Sequence, residues 1–258
     1  MLSYQHIYHA GNPADVHKHA LLCAMLGYMT RKDKPLSYIE THAGRALYDL
    51  SSAEALKTGE AAAGIAALRG KLPMDHPYIT TLDKLATQHG PTAYAGSPLL
   101  AALMLRNTDS LHLAELHPGE HQALRTAMRD HRPKTYKQDG FEMAQAICPP
   151  TPRRGVMLID PSYEIKSDYD AIPSQIAKIH RKWNVGVIAL WYPILRSNAH
   201  TPMIAALEAQ NLAGALHHAV TFPPVRENHG MTGSGMFIVN APYGLANEAQ
   251  TLTKLFAP

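Results

Sequence analysis

An α/β fold built on an open, mostly parallel sheet is predicted by three features of this 258-residue chain. Short apolar runs alternate with helix-periodic stretches. Most of these runs end at an acid, a glycine or a proline. The last one is approached through Met231-Thr232-Gly233-Ser234 rather than from a helix. Such alternation implies right-handed crossovers, with ligands met outside the carboxyl ends of the strands.

The elements follow in order. Leu36-Ser37-Tyr38-Ile39-Glu40 reads as a first strand leading into Thr41-His42-Ala43-Gly44. Residues 110–114 end at Glu115, and Lys134-Thr135-Tyr136-Lys137-Gln138 ends at Asp139-Gly140. Val156-Met157-Leu158-Ile159 ends at Asp160, and residues 185–191 close at Tyr192-Pro193. Helical periodicity occupies residues 119–129 and 171–182 between them. No long helical pattern closely precedes residues 235–240, which read as an antiparallel edge strand.

One spacing is abnormal. From Gly44 to Glu115 the chain takes 71 positions, where an ordinary crossover needs only about a dozen. Two helix-periodic stretches, residues 60–69 and 78–88, fill the excess. A small helical insertion over residues 47–94 is therefore expected, with residues 1–46 and 95–258 forming the main domain. Gly96-Ser97-Pro98 then opens another helix, with Ser97 as its cap and Pro98 in its first turn.

Composition narrows the function classes. A hydrophobic content of 46% with 17% charged residues belongs to a globular chain. The longest apolar run, residues 20–29, is well short of the roughly 18–20 residues that span a bilayer. The opening Met1-Leu2-Ser3-Tyr4-Gln5-His6 lacks the order of a secretory signal. The two cysteines, Cys23 and Cys148, lie outside any metal-spaced cluster, so a reduced, cytoplasmic setting without membrane association is expected. A net charge of +3 is compatible with a nucleic-acid partner but does not demonstrate one. Sixteen histidines invite a metal, yet no His-Glu-x-x-His or Cys-x-x-Cys spacing occurs, and no metal site is expected.

The sharpest chemical signal is Asp160-Pro161-Ser162-Tyr163. A carboxylate beside an aromatic ring on a stiff turn suits holding a planar base while accepting hydrogen bonds from its amino group. Enzymes that methylate exocyclic nitrogens carry Asp/Asn/Ser-Pro-Pro-Tyr/Phe/Trp here; this chain has Ser162 in the third position. The other strand ends suit an adenosine-bearing cofactor. Gly44 allows close backbone approach, Glu115 can accept both ribose hydroxyls, and Asp139-Gly140 offers a carboxylate and an N–H to adenine. Dinucleotide and nucleoside triphosphate binding are disfavoured, because Arg45 follows Gly44 and no phosphate-loop motif is present.

The electronics indicate a mechanism. Adenine N6 is a poor nucleophile because its lone pair is delocalised into the ring. Hydrogen bonds to the Asp160 carboxylate and the Pro161 carbonyl would localise that pair, with Tyr163 stacked on the base. A base within a duplex cannot reach such a pocket, so the target is expected to be single-stranded or flipped out. Several of these residues also have ordinary readings. His19 fits packing or capping, Ser97 a helix cap, Tyr4 an aromatic near a terminus, and Tyr163 and Trp191 core positions. Lys18, Arg45, Lys166 and Arg226 fit either phosphate contacts or solvated surface.

Across nearly its whole length the chain resembles the RlmJ family, which methylates adenine N6 in 23S rRNA using S-adenosyl-L-methionine. The resemblance is carried by His9-Ala10-Gly11-Asn12-x-Ala14-Asp15-Val16-x-Lys18-His19, Thr41-His42-Ala43-Gly44, Glu115-Leu116-His117-Pro118, Asp160-Pro161-x-Tyr163-Glu164 and Gly230-Met231-Thr232-x-Ser234-Gly235-Met236. It implies a Rossmann-like methyltransferase fold with a helical insertion. It implies a cofactor pocket at His19, His42, Ser97, Glu115, Asp139, Gly140 and Asp160, with Asp160 also the catalytic carboxylate. Tyr4 maps to a substrate-facing tyrosine, and His6 and Lys18 to positions facing the RNA or the active site. The implied partner is 23S rRNA, free or in an early assembly intermediate. Departures are Ser162, where proline is usual, and Arg45-Ala46, where a small residue and a second glycine are common. A DNA adenine-N6 or protein glutamine-N5 methyltransferase, or a catalytically idle RNA-binding protein, would share the scaffold.

Overall fold

The computed structural model describes residues 4–224 and 230–257; Arg226 and residues 1–3 lie outside them. Helix α1 (Pro13–Thr30) precedes strands β1 (Ser37–Glu40) and β2 (Leu47–Asp49), then helices α2 (Ala53–Thr58) and α3 (Pro77–His89) and strand β3 (Ala93–Ala95). Helices and strands then alternate: α4 (Ser97–Met104), β4 (Ser110–Ala114), α5 (Pro118–Ala127), β5 (Lys134–Tyr136), α6 (Gly140–Ile147), β6 (Gly155–Ile159), α7 (Asp168–Lys182) and β7 (Val187–Leu195). Helix α8 (Thr201–Glu208), strands β8 (Leu216–Thr221) and β9 (Met231–Val239), and helix α9 (Leu245–Leu255) follow.

Seven strands form one sheet in the order β5-β4-β1-β6-β7-β9-β8. The first five are parallel, and β9 runs antiparallel to both β7 and β8. Central β1 and β6 are buried at every residue, as strands covered on both faces must be. The antiparallel edge is a pair rather than a single strand. β9 holds residues 235–240 almost entirely, but β8 covers its outer side. Strand β8 reads Leu-His-His-Ala-Val-Thr and buries only Val220 outright, so its sequence carries little apolar signal. Strand β7 runs through Tyr192-Pro193 instead of stopping there. Its pairing with β6 ends at Leu190, and beyond that point a proline is tolerated on the open edge.

Helix α1 is buried on nearly every side, which an amphipathic surface helix never is. Asn12 caps it by accepting the Asp15 N–H at 2.8 Å, and Pro13 sits in the first turn. Asp15, His17, Lys18 and His19 are thereby carried into the interior, where each requires partners.

Residues 47–94 are not helical throughout, because their two ends pair as the antiparallel ribbon β2–β3. Tyr48, Ile65, Tyr78, Leu82 and Tyr94 join the buried cluster that includes α1 and α4. So short a segment cannot build a stable core of its own and borrows that of the sheet. The cap of α4 also differs from expectation. Gly96 occupies the cap position, and Ser97 is already helical, its hydroxyl donating to Glu40.

Gly155 opens β6 where β1 crosses closest; a Cβ added there would lie 2.1 Å from the Ser37 carbonyl oxygen. Gly155→Ala is expected to cost about 3 kcal/mol by forcing the two central strands apart, measured as a fall in the urea unfolding midpoint at unchanged m.

Candidate active site

A cavity of about 420 Å³ opens at the carboxyl ends of β1, β4, β5, β6 and β7, within the usual size of small-ligand pockets. Every residue the sequence reading assigns to the cofactor, the substrate or the chemistry lines it: Tyr4, His6, Lys18, His19, His42, Ser97, Glu115, Asp139, Gly140, Asp160, Pro161 and Tyr163; Arg45 and Lys166, read as phosphate contacts or surface, do not.

One half is a cradle of backbone and carboxylates. The Glu115 carboxylate accepts the Gly44 N–H at 2.9 Å and the His117 N–H at 2.7 Å, one on each oxygen. This ties the loops after β1 and β4 together and leaves further lone pairs on both oxygens. Burial pushes the Glu115 carboxyl above its ordinary range. Asp139 uses Oδ1 to cap α6, accepting the Phe141 and Glu142 N–H groups at 2.8 and 2.9 Å. Its Oδ2 has no hydrogen-bond partner among the described residues. A Cβ on Gly140 would lie 1.9 Å from the Thr41 carbonyl oxygen, so only glycine lets these loops meet. Ala46 adopts φ +68°, which accounts for the advantage of glycine there. Arg45 is held by Glu120 at 2.9 and 2.5 Å, outside the cavity wall, so its bulk does not fill the cradle.

The other half is a chain of charges. Lys18 Nζ donates to Asp160 Oδ2 at 2.6 Å and lies 3.0 Å from Asp15 Oδ1. Burial disfavours its ammonium, but the Asp160 and Asp15 carboxylates outweigh that and hold Lys18 protonated well above its ordinary range. Asp15 also accepts the Gly11 N–H at 2.9 Å and His6 Nε2–H at 2.9 Å. Burial opposes its ionisation, yet His6 and Lys18 keep the carboxyl well below the usual range. A carboxylate only accepts, so His6 carries hydrogen on Nε2, and its Nδ1 lies 2.8 Å from the Tyr4 hydroxyl. Asp160 Oδ1 carries no hydrogen bond among the described residues.

Tyr163 and Trp191 sit opposite this chain. Tyr163 adopts φ +56° and donates its hydroxyl to the Trp191 carbonyl at 2.7 Å. Its ring lies 4.6 Å from that of Tyr169, so one flank of the expected stacking residue is already occupied. Trp191, read from sequence as a core position, packs against both core clusters and also lines the cavity, its ring centroid 5.3 Å from Lys18 Nζ. Its indole N–H donates to Ser234 Oγ at 2.9 Å, and that hydroxyl lies 2.8 Å from His17 Nδ1.

Two histidines are kept neutral. Burial lowers His42 to about 4, although Asp160 and Asp139 oppose it; its Nδ1 meets Thr41 Oγ1 at 2.7 Å. Burial, helped by Lys18 and His6, lowers His19 to about 3. His19 Nδ1 meets the Tyr94 hydroxyl at 3.0 Å, while its buried Nε2, 3.9 Å from Asp15 Oδ1, has no hydrogen-bond partner among the described residues, leaving a polar atom at the wall for a ligand to satisfy. Among the described residues no group of three or more His, Cys, Asp and Glu is arranged to hold a metal. No helix among them is long and apolar enough to cross a membrane.

Sequence reasoning gave no role to Asp15, Glu40 or Trp191. Asp15 precedes Lys18 by three residues and His19 by four on one helix, a spacing that places all three on one face. Glu40 had no such signal: it is buried under Ser97 and Tyr38, whose hydroxyls donate to it at 2.5 and 2.8 Å.

This sheet order, with acids following β4, β5 and β6 around one cavity, defines a Rossmann-like methyltransferase. A family model described as ribosomal RNA large subunit methyltransferase D, RlmJ, matches residues 33–257. The chain is 41% identical to ribosomal RNA large subunit methyltransferase J of Escherichia coli K12, covering 96% of this chain and 90% of that protein. It is 39% identical to the protein of the same name from Haemophilus influenzae Rd, covering 100% and 95%. A crystal structure of a Legionella pneumophila protein superposes with a TM-score of 0.84 at 34% identity, covering 95% and 92% of the two chains. The chain belongs to the RlmJ family. The block containing Tyr4, His6, Lys18 and His19 precedes the segment matched by the family model, and the alignment with the Haemophilus protein spans it.

Burial raises Glu40 to about 8, against hydrogen bonds from Ser97 and Tyr38. Between its ordinary 4.5 and about 8 the unfolded chain is ionised there while the folded chain holds the proton. Stability is therefore lost as pH rises through that window. Glu40→Gln, which cannot ionise, should lose less melting temperature than wild type between pH 5 and pH 8; parallel curves would contradict the assignment.

Proposed function

We propose that this protein transfers a methyl group from S-adenosylmethionine to N6 of an adenine in 23S rRNA, free or in an early assembly intermediate, in the cytoplasm. The observation that carries this reading is Asp160, which follows β6 at the cavity with one oxygen on Lys18 and the other without a hydrogen bond among the described residues. The cradle suits the cofactor's adenosine. Glu115 has lone pairs left for ribose hydroxyls, Asp139 Oδ2 is available to the adenine amino group, and Gly140 admits the ring. His19 Nε2, buried and without a hydrogen bond among the described residues, is available to the amino-acid end. S-adenosylmethionine supplies an electrophilic methyl group when bound there.

The chain's own residues do the rest. Lys18 pins Oδ2 of Asp160, so Oδ1 is presented to the N6 protons of the target base and takes one as N6 is methylated. The Pro161 carbonyl accepts the second N6–H. Tyr163 supports the turn and borders the base, and Tyr4, its hydroxyl held by His6, faces the substrate. Residues 47–94 form an accessory unit that shapes the wall through Tyr48.

Asp160→Asn and Asp160→Ala should each lower labelled-methyl transfer to unmethylated 23S RNA by at least about 100-fold; full activity in both would remove Asp160 from this role. A panel of RNA, duplex DNA and protein should show transfer to RNA, and labelling of DNA or protein alone would refute the substrate.

A further inference from the structure

We infer that the flank formed by α5, the turn after it and edge strand β5 is a binding surface for the phosphate backbone of the RNA. This rests on the RNA methyltransferase reading and extends it to a part of the molecule outside the cavity. Residues 121–138 contain Arg125, Arg129, Arg132, Lys134 and Lys137 against a single acid, Asp130. That is a net charge of +4, against +3 for the whole chain, so the remainder is slightly acidic. The basic excess of this protein is concentrated on one flank.

All five cations are exposed, and none makes an ion pair or side-chain hydrogen bond among the described residues. Arg153, Arg181 and Arg196 are likewise exposed without an ion pair or side-chain hydrogen bond among the described residues; what sets this flank apart is that its five cations fall between positions 125 and 137. Like charges gathered without partners repel one another unless something neutralises them. Arg125, Arg129 and Arg132 converge on a cleft of about 360 Å³, with Gln122, Thr126 and Thr135 beside them. Guanidinium forks match phosphate oxygens in pairs, and amide and hydroxyl groups complete such a site. His121 sits below its ordinary pKa through burial and through Arg125 and Lys137, so both cations act on one region.

The flank also connects to the cavity. Among the described residues β5 pairs only with β4, leaving its outer edge open, and the chain runs from Lys137 through Gln138 to Asp139 and Gly140 in the cavity wall. From Arg132 to Asp139 the fully extended chain spans at most about 25 Å. A strand whose adenine enters the cavity can therefore lay its neighbouring phosphates along this edge. Such contacts set register and affinity without reading sequence.

The test uses the full chain carrying Arg125→Gln, Arg129→Gln and Arg132→Gln together. A second variant carries Lys134→Gln and Lys137→Gln, and a control carries Lys178→Gln and Lys254→Gln on exposed faces of α7 and α9. The triple variant should flatten the plot of log affinity for a 23S fragment against log salt by about 2–3 in slope. KM for RNA should rise about 10-fold or more, with kcat at saturating RNA, cofactor affinity and melting temperature unchanged; the double variant should show a smaller change of the same kind. An unaltered slope and KM in the triple variant, or an equal loss in the control, would overturn the inference. Absence of methyl transfer to RNA by the wild type would instead sink the functional reading, whatever the salt dependence shows.

Discussion

The buried ammonium of Lys18, held between Asp160 and Asp15, is the contact on which the rest of the site depends. Each carboxylate would be costly alone in so dry a place, and the lysine would be too. Together they account for one another, and His6 and the Gly11 N–H take up the remaining lone pairs of Asp15. The pair joins α1 to the end of β6, partners 142 positions apart in sequence. It therefore sets where the amino-terminal helix sits over the sheet, and with it the positions of Tyr4, His6 and His19.

The cradle is assembled by a different principle, close approach of backbone. Gly140 packs against the Thr41 backbone and Gly44 donates to Glu115, so three strand-end loops meet closely. Carboxylates that also cap a helix or bind a neighbouring loop are held in place before a ligand arrives, which lowers the ordering cost of binding. Arg45 shows how an awkward residue is accommodated: its guanidinium is drawn onto Glu120 of α5, leaving the cradle open.

Much of this was legible in the chain because strand ends announce themselves. Apolar runs closed by Gly44, Glu115, Asp139 and Asp160 read as parallel strands with functional termini, and all four residues meet at one cavity. What local pattern could not carry was long-range pairing. Lys18 looks like a surface or substrate lysine until β6 is folded beside it, and Ser97 looks like a cap until Glu40 lies beneath its hydroxyl. Strand β8 was illegible for another reason: its adjacent His217 and His218, neither of them buried, resemble a polar loop, and only pairing with β9 makes it a strand. Trp191 packs against the core, as an aromatic inside an apolar run does, but its second role was hidden: here the strand outruns its neighbour and opens onto the cavity.

The contact of Trp191 with Ser234 reaches further than the two residues. An indole nitrogen can only donate, so the Ser234 hydroxyl receives that proton and directs its own to His17 Nδ1. His17 in its neutral form then carries hydrogen on Nε2 and gives it to His218 Nδ1 at 2.9 Å, which leaves His218 to donate from Nε2 to Thr253 Oγ1. One heteroaromatic ring at the cavity thus dictates the tautomers of two imidazoles, and a one-way polarity runs from the floor of the site to the outer face of α9.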